Sequence, residues 1–185
     1  MKNDELFSAL SAAAVQLGAH KANVINVSDI VLDREFRAMC EANLCGVFGK
    51  CYMCPPDVGD IDVLMRRVGE FRFVLVYQIV GMIKGNFDFD GMTVAKRRSF
   101  TLAQELRAVF SDRGIKKALH LGVGGCGVCE VCAKLSGEPC RHPELALSSL
   151  EAYGVNVSEL ACAAGMRYTN GENTVTYFGA VLFCL

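Results

Sequence analysis

The chain has 185 residues, 52% of them hydrophobic, and its 19 basic side chains nearly balance its 20 acidic ones. This length can bury one hydrophobic core, and the near-neutral charge argues against a nucleic acid or an anionic membrane as a partner. The longest apolar run, 71–83, is too short to span a bilayer. We therefore expect a single domain over residues 1–185. Because no apolar export signal follows the charged N-terminus, we expect the protein in the cytoplasm.

Hydrophobic periodicity predicts helices and strands in the first half of the chain. Apolar residues at three- and four-residue steps predict a helix over 6–18, and alternating β-branched residues predict a strand over 22–32. Short helices are expected over 33–40 and 60–68, each capped by the aspartate at its first position. The apolar run 71–80 predicts a strand that is buried on both faces.

The second half continues the same alternation. The predicted elements are, in order, a loop over 81–91, a helix over 93–113, a strand over 117–123, a short helix from Ser148 or Ser149 to Tyr153, a helix over 159–164 capped by Ser158, and a central strand over 174–184. Strands separated by helices indicate an α/β class, with α+β as the alternative. We therefore expect a mixed central sheet with helices packed on it.

Eight of the ten cysteines fall into two groups of four. The first group consists of Cys40, Cys45, Cys51 and Cys54, and the second of Cys126, Cys129, Cys132 and Cys140. In a chain without an export signal, such groups indicate metal ligation or redox chemistry rather than disulfide bonds. We expect two cysteine-rich loops that hold metal, at about 40–56 and 124–143.

The second group has the more specific spacing. Its first three cysteines are each separated by two residues, which lets three sulfurs surround one corner of a [4Fe–4S] cubane while a fourth comes from further along the chain. Structural zinc more often uses two separated Cys-x2-Cys pairs. The spacing favours an iron–sulfur cluster over zinc, with free or disulfide-bonded thiols as the remaining alternative. Gly124 and Gly125 allow a tight turn that brings backbone N–H groups near sulfur.

The first group has irregular spacing, and the role of Cys51 stays open. It is either the fourth ligand of this group or a bystander, with the fourth ligand supplied from elsewhere in the chain. Ligands can cross between segments in two-cluster ferredoxins. A thioredoxin-type dithiol at Cys51 and Cys54 is disfavoured, because Pro55 and Pro56 replace the usual helix start.

Other polar residues have simpler interpretations. The chain has three histidines, too few for a histidine-rich catalytic metal site. We expect His120 to be a hydrogen-bonded core or edge residue, His20 to lie at the surface, and His142 to be a solvent-facing neighbour of Cys140. Asp88 is expected in a solvated turn.

Several segments resemble the DUF2284 family of predicted metal-binding proteins, whose function is unknown. The sharpest are Gly124-Gly125-Cys126 through Cys140-Arg141-His142-Pro143 and the following run 148–154; others are Cys45 with Gly49-Lys50, Cys54-Pro55-Pro56, Phe87-Asp88-Phe89 and 174–183. The resemblance extends from about Cys40 to Phe183. It implies metal binding through Cys40, Cys45, Cys54, Cys126, Cys129, Cys132 and Cys140, whereas Cys51 departs from the family pattern. It implies no substrate or reaction.

These observations lead to three hypotheses. The first is a redox or electron-transfer protein with one or two [4Fe–4S] clusters, ligated by all eight grouped cysteines, that exchanges electrons with a partner protein or small molecule. The second is a structural zinc module that acts only in binding. The third is an enzyme in which an incompletely ligated cluster acts on a small molecule, with catalytic residues that the sequence does not identify.

Overall fold

The structure is a computed structural model that describes residues 2–185. Within that range the helices are α1 (Lys2–Gln16), α2 (Glu35–Glu41), α3 (Ile61–Val68), α4 (Phe89–Asp112) and α5 (Val157–Ala163). The strands are β1 (Lys21–Asn26), β2 (Phe73–Met82), β3 (Ala118–Gly122), β4 (Ser148–Ser149) and β5 (Thr174–Phe183). Short 3-10 turns lie at Val27–Asp29, Ala133–Ser136 and Glu151–Tyr153. None of the helices within 2–185 has the length and apolar character needed to cross a bilayer.

All five strands form one mixed sheet in the order β1-β2-β5-β3-β4. β5 lies at the centre, antiparallel to β2 along their full lengths from Phe73↔Phe183 to Met82↔Thr174, and antiparallel to β3 on its other side. The parallel pair is β3 with β4. The predicted mixed sheet with a central last strand is confirmed, and its arrangement is the α+β form rather than a regular α/β alternation.

Helices cover both faces of this sheet. Phe73, Leu75 and Tyr77 of β2 pack with apolar residues of α1 and α4 on one face. The alternate residues Val74 and Val76 pack with α3, α5 and the turn at Glu151–Tyr153 on the other. Successive side chains of a strand point to opposite faces, so an uninterrupted apolar run is what a strand between two helical layers requires. The predicted two-sided burial of β2 is confirmed.

Side-chain caps explain where two helices begin. The Asp60 carboxylate accepts the N–H groups of Asp62 and Val63 at 2.9 and 3.2 Å, as predicted for the start of α3. α4 begins at Phe89, four residues before the predicted start, because the Asp88 carboxylate accepts the Gly91 N–H at 3.0 Å. Asp88 is therefore a helix cap and not only a residue of a solvated turn.

Three predicted boundaries were wrong. β1 ends at Asn26, where the chain turns into the 3-10 segment Val27–Asp29 instead of continuing to residue 32. Ser148 pairs with Leu121 in β4 rather than starting a helix, and a 3-10 turn follows it. α5 is capped by the Asn156 side chain, which accepts the Ser158 N–H at 3.1 Å, so Ser158 itself lies inside the helix.

Candidate metal centre

The first cysteine loop (40–56) runs from the end of α2 and folds back on itself. Its hydrogen bonds include Gly49 N–H to the Pro55 carbonyl at 2.9 Å and Cys54 N–H to the Cys51 carbonyl at 3.0 Å. Cys51 and Cys54 are buried, Cys40 is half-buried and Cys45 is exposed. Turns of this kind place two sulfurs inside the molecule and leave a third at its surface.

The second cysteine loop (124–143) leaves the end of β3 through the left-handed Gly124, whose φ is +62°. The next residue, Gly125, lies so close to the first loop that a Cβ on it would be 3.7 Å from Cys54 Sγ. This close approach of backbone to sulfur brings the second loop against the first. Cys126, Cys129, Cys132 and Cys140 of the second loop are all half-buried.

Three sulfurs from the two loops meet at Cys51. Cys51 lies within reach of the Cys126 and Cys54 thiols, and hydrogen bonding with them lowers the pKa of Cys51, with Cys126 making the larger contribution. The same hydrogen bonding raises the pKa of Cys54 and of Cys126. Cys51, which belongs to the first group in sequence, is thus in direct contact with the second group.

Backbone N–H groups also point at two of these sulfurs. Cys51 accepts from Met53 and Cys126, and Cys126 accepts from Leu147 and Val128. Hydrogen bonds from N–H to a thiolate stabilise its negative charge and, around a metal, tune its electronic properties.

A narrow recess lies beside this contact, and we call it the thiol recess. Its cysteines are Cys51, Cys126, Cys129, Cys132 and Cys140. His142 and Arg141 complete its wall, and Arg141 is close enough to Cys129 for the two side chains to interact. His142 is exposed and lies 4.0 Å from a Glu144 carboxylate oxygen.

The remaining cysteines of the first loop lie around Cys54. Besides the contact with Cys51, the charges of Cys45 and Cys40 help to raise the pKa of Cys54. Burial, together with the Glu151 carboxylate, raises the pKa of Cys40. α2 is fixed here by the buried Arg37, which donates to the Gly59 and Ala152 carbonyl oxygens at 3.0 and 3.3 Å. Within residues 2–185, no group of three or more Cys, His, Asp or Glu side chains has the spacing that would enclose a metal ion.

Polar contacts that involve no cysteine also join the two loops. The Tyr52 hydroxyl donates to the Glu138 carbonyl at 2.7 Å, and Ser148 of β4 contacts the Met53 sulfur of the first loop at 3.7 Å. Lys134 of the second loop also forms a salt bridge with Asp57, which directly follows the first loop. Direct protein contacts therefore link the two loops.

Sequence reasoning missed one residue of this region, Arg107. Its guanidinium donates to the Ala146 carbonyl at 3.2 Å and is close enough to Cys126 for their charges to interact, while its Nε is buried without a partner. The available signal was its position in α4, directly after the buried Leu106 and four residues after the buried Ala103. A charged residue on the inward stripe of a helix requires polar neighbours, and those of Arg107 include the Ala146 carbonyl, Tyr77 and Cys126.

His120 also differs from expectation. It is buried on β3, and its Nδ1 has no hydrogen-bond partner among the described residues, so it differs from the hydrogen-bonded core residue that was predicted. His20 is exposed, as predicted.

The donor set fits a thiophilic metal or cluster. Each of the ten cysteines is a free thiol, and the thiol recess presents five of them with one histidine at its wall. Thiolates prefer zinc, Cu(I) and iron–sulfur clusters over hard cations such as Mg²⁺ and Ca²⁺. Five sulfurs exceed the four that a closed zinc site uses.

The comparison with known families gives one match. The model of a family described as "Predicted metal-binding protein (DUF2284)" matches residues 23–183, which is most of the chain and includes both cysteine loops. No curated protein and no solved structure matches the chain.

Proposed function

The chain belongs to the DUF2284 family of predicted metal-binding proteins, and from that premise we propose that it is an iron–sulfur protein that transfers electrons in the cytoplasm. It carries one or two [4Fe–4S] clusters in this proposal, with the grouped cysteines as ligands. The observation that supports it is the meeting of Cys51, Cys54 and Cys126 from two loops that are 72 residues apart at their nearest cysteines, Cys54 and Cys126.

The arrangement of the sulfurs suggests which cysteines would serve each group. Cys126, Cys129, Cys132 and Cys140 line one recess together with Cys51. Cys40 and Cys45 lie near Cys54 and are not among the cysteines of that recess. Cys51 would then either complete the first set or add to the second, as ligand crossing in two-cluster ferredoxins allows.

The protein's own groups would set the properties of the centre. Bound clusters supply one-electron transfer, and their potential depends on burial, net charge and hydrogen bonds to sulfur. Here the Leu147 and Val128 N–H groups bond to the Cys126 sulfur, and Arg107 brings a positive charge near it. Both features stabilise negative charge on the sulfur and would favour the reduced state.

The direct test is metal analysis of protein purified without oxygen. We expect iron and acid-labile sulfide in similar amounts, together with a broad visible absorbance that bleaches on reduction. Zinc in stoichiometric amount without iron, from a preparation kept anaerobic throughout, would instead establish the structural zinc module.

The Cys51→Ser variant tests the central sulfur. Because Cys51 contacts both loops, we expect the variant to lose metal affinity by about tenfold or more and to show lower iron content. Cys162→Ser is the matched control, since Cys162 is an exposed cysteine of α5 outside both loops, and it should retain the wild-type spectrum. An unchanged cluster content in Cys51→Ser would show that Cys51 is no ligand, which would favour the enzyme with an open iron site.

A further inference from the structure

A cavity of about 750 Å³ lies between α4 and the start of the second cysteine loop. Its walls come from one side of α4 between Thr93 and Ala103 and from the glycine-rich turn that includes Gly124, Gly125 and Gly127. Small-molecule sites in proteins typically measure about 300–1,000 Å³, so the cavity has the size of a binding site for an organic molecule. We call it the basic pocket.

Two cations in the basic pocket have no partner. Within residues 2–185, the exposed side chains of Lys96 and Arg97 make no hydrogen bond or ion pair, and both line the cavity. The lysine ammonium reaches over the glycine turn, because its Nζ lies 3.2 Å from where a Cβ on Gly124 would stand. One acidic side chain, Glu130, also lines the cavity, so positive charge is in excess there.

The remaining wall is part apolar and part hydroxyl. The ring of Phe100 lies close to Gly127, and a Cβ on Gly127 would be 3.3 Å from that ring. The buried side chain of Leu147 adds apolar surface to the same cavity. Thr93 and Thr101 add hydroxyl groups to the rim. In such a site, charged groups bind one end of a ligand, and the apolar wall packs against the other end.

We propose that the basic pocket binds a small organic anion, with its phosphate or carboxylate held by Lys96 and Arg97 and its apolar body against Phe100 and Leu147. An inorganic anion alone would leave most of the volume unfilled. The pocket includes no cysteine, yet Gly125 and Gly127 on its wall flank Cys126 directly. The bound molecule lies next to the proposed metal centre without occupying it, and the binding goes beyond the proposed electron transfer.

The test is isothermal titration of the full chain, purified without oxygen, with phenyl phosphate and with benzoate; these two probes distinguish a phosphate ligand from a carboxylate. We expect at least one of them to bind and the neutral probe phenol not to bind. Lys96→Met and Arg97→Met should each weaken binding about fivefold or more, the loss of one charge-assisted contact. Glu130→Gln should strengthen binding, because it removes the like charge.

Arg98→Met is the matched control, since Arg98 carries the same charge on the same helix but does not line the basic pocket. The affinity of the Arg98→Met variant for the anionic probe should stay within about twofold of the wild-type value. Absence of binding by both anions, equal binding of phenol, or an equal loss in Arg98→Met would overturn the proposal. Iron measured in the same samples separates the two proposals. Anion binding without iron would support the basic pocket and contradict the iron–sulfur centre. Iron without anion binding would support the iron–sulfur centre and contradict the pocket.

Discussion

His120 is held neutral inside the sheet layer. Its imidazole packs edge-on against the ring of Phe110, with centroids 5.9 Å apart, and burial together with the positive charge of Arg107 lowers its pKa to about 3. In the unfolded chain a histidine has a pKa of about 6.5. Between those two values the unfolded chain binds one proton more than the folded one, so this group destabilises the fold as the pH falls below about 6.5.

Replacing His120 should therefore flatten the pH dependence of stability. From pH 7 to pH 5 this one group removes about 2 kcal/mol from the wild-type free energy of unfolding, whereas His120→Leu removes the titrating group. Urea unfolding at both pH values, compared between wild type and variant, measures the difference.

His20→Leu serves as the control, because His20 is exposed at the surface. It should show the wild-type loss of stability on acidification. The same pH dependence in His120→Leu as in wild type would contradict the role of the buried imidazole.

Residue spacing predicted the cysteine groups but not the neighbours of each sulfur. The spacing Cys126-x2-Cys129-x2-Cys132 brings three thiols to one loop, and all three line the thiol recess. The contact between Cys51 and Cys126 depends instead on how two distant loops meet, and spacing along the chain carries no information about it. Arg107 was missed for the same reason, since its partner lies on another element.

At the scale of single elements, α3 depends on its cap. Asp60 satisfies two backbone N–H groups of the first turn, and α3 then packs Leu64 and Val68 into the layer below the sheet. α3 follows the first cysteine loop and leads through Gly69 towards β2, so it connects that loop to the sheet.

Asp60→Ala should lower the free energy of unfolding by about 1 kcal/mol, because it leaves those N–H groups without a protein acceptor. Urea unfolding of the variant tests this. Asp112→Ala is the comparison, because Asp112 is an exposed aspartate at the other end of a helix, in α4, and it should change stability little. Equal losses in the two variants would show that the cap has no special contribution.

Periodicity predicted the long elements better than the short ones. α4, β2 and β5 each carry a continuous apolar pattern, and each was found close to its predicted range. β4 is two residues long and exists because Ser148 pairs with Leu121. A pairing between distant residues leaves no local pattern, so the sequence predicted a helix start there instead.

At the scale of the whole molecule, the two cysteine loops are tied to each other by Tyr52–Glu138 and by Lys134–Asp57. A metal centre that uses sulfurs from both loops would reinforce these contacts, because ligands bound only in the folded state stabilise it. Removal of the metal should then loosen both loops together.

Limited trypsin digestion before and after metal removal measures this loosening. We expect faster cleavage at Lys50 in the first loop and at Arg141 in the second, both exposed. Cleavage at Arg113, an exposed site after α4 and outside both loops, should change little and serves as the internal control. Loop cleavage that is unaffected by the metal would argue against ligation by the two loops.

The position of β5 has a consequence for the order of assembly during synthesis. β5 follows every other strand in the chain yet lies between β2 and β3, and the two cysteine loops belong to opposite sides of it. While the ribosome is still making residues 174–183, the two halves of the sheet have no shared strand to align them. Before β5 is made, α4, which packs on both β2 and β3, is the element that links the two halves. β5 then joins them by hydrogen bonds along both of its edges, which fixes the two sets of thiols relative to each other.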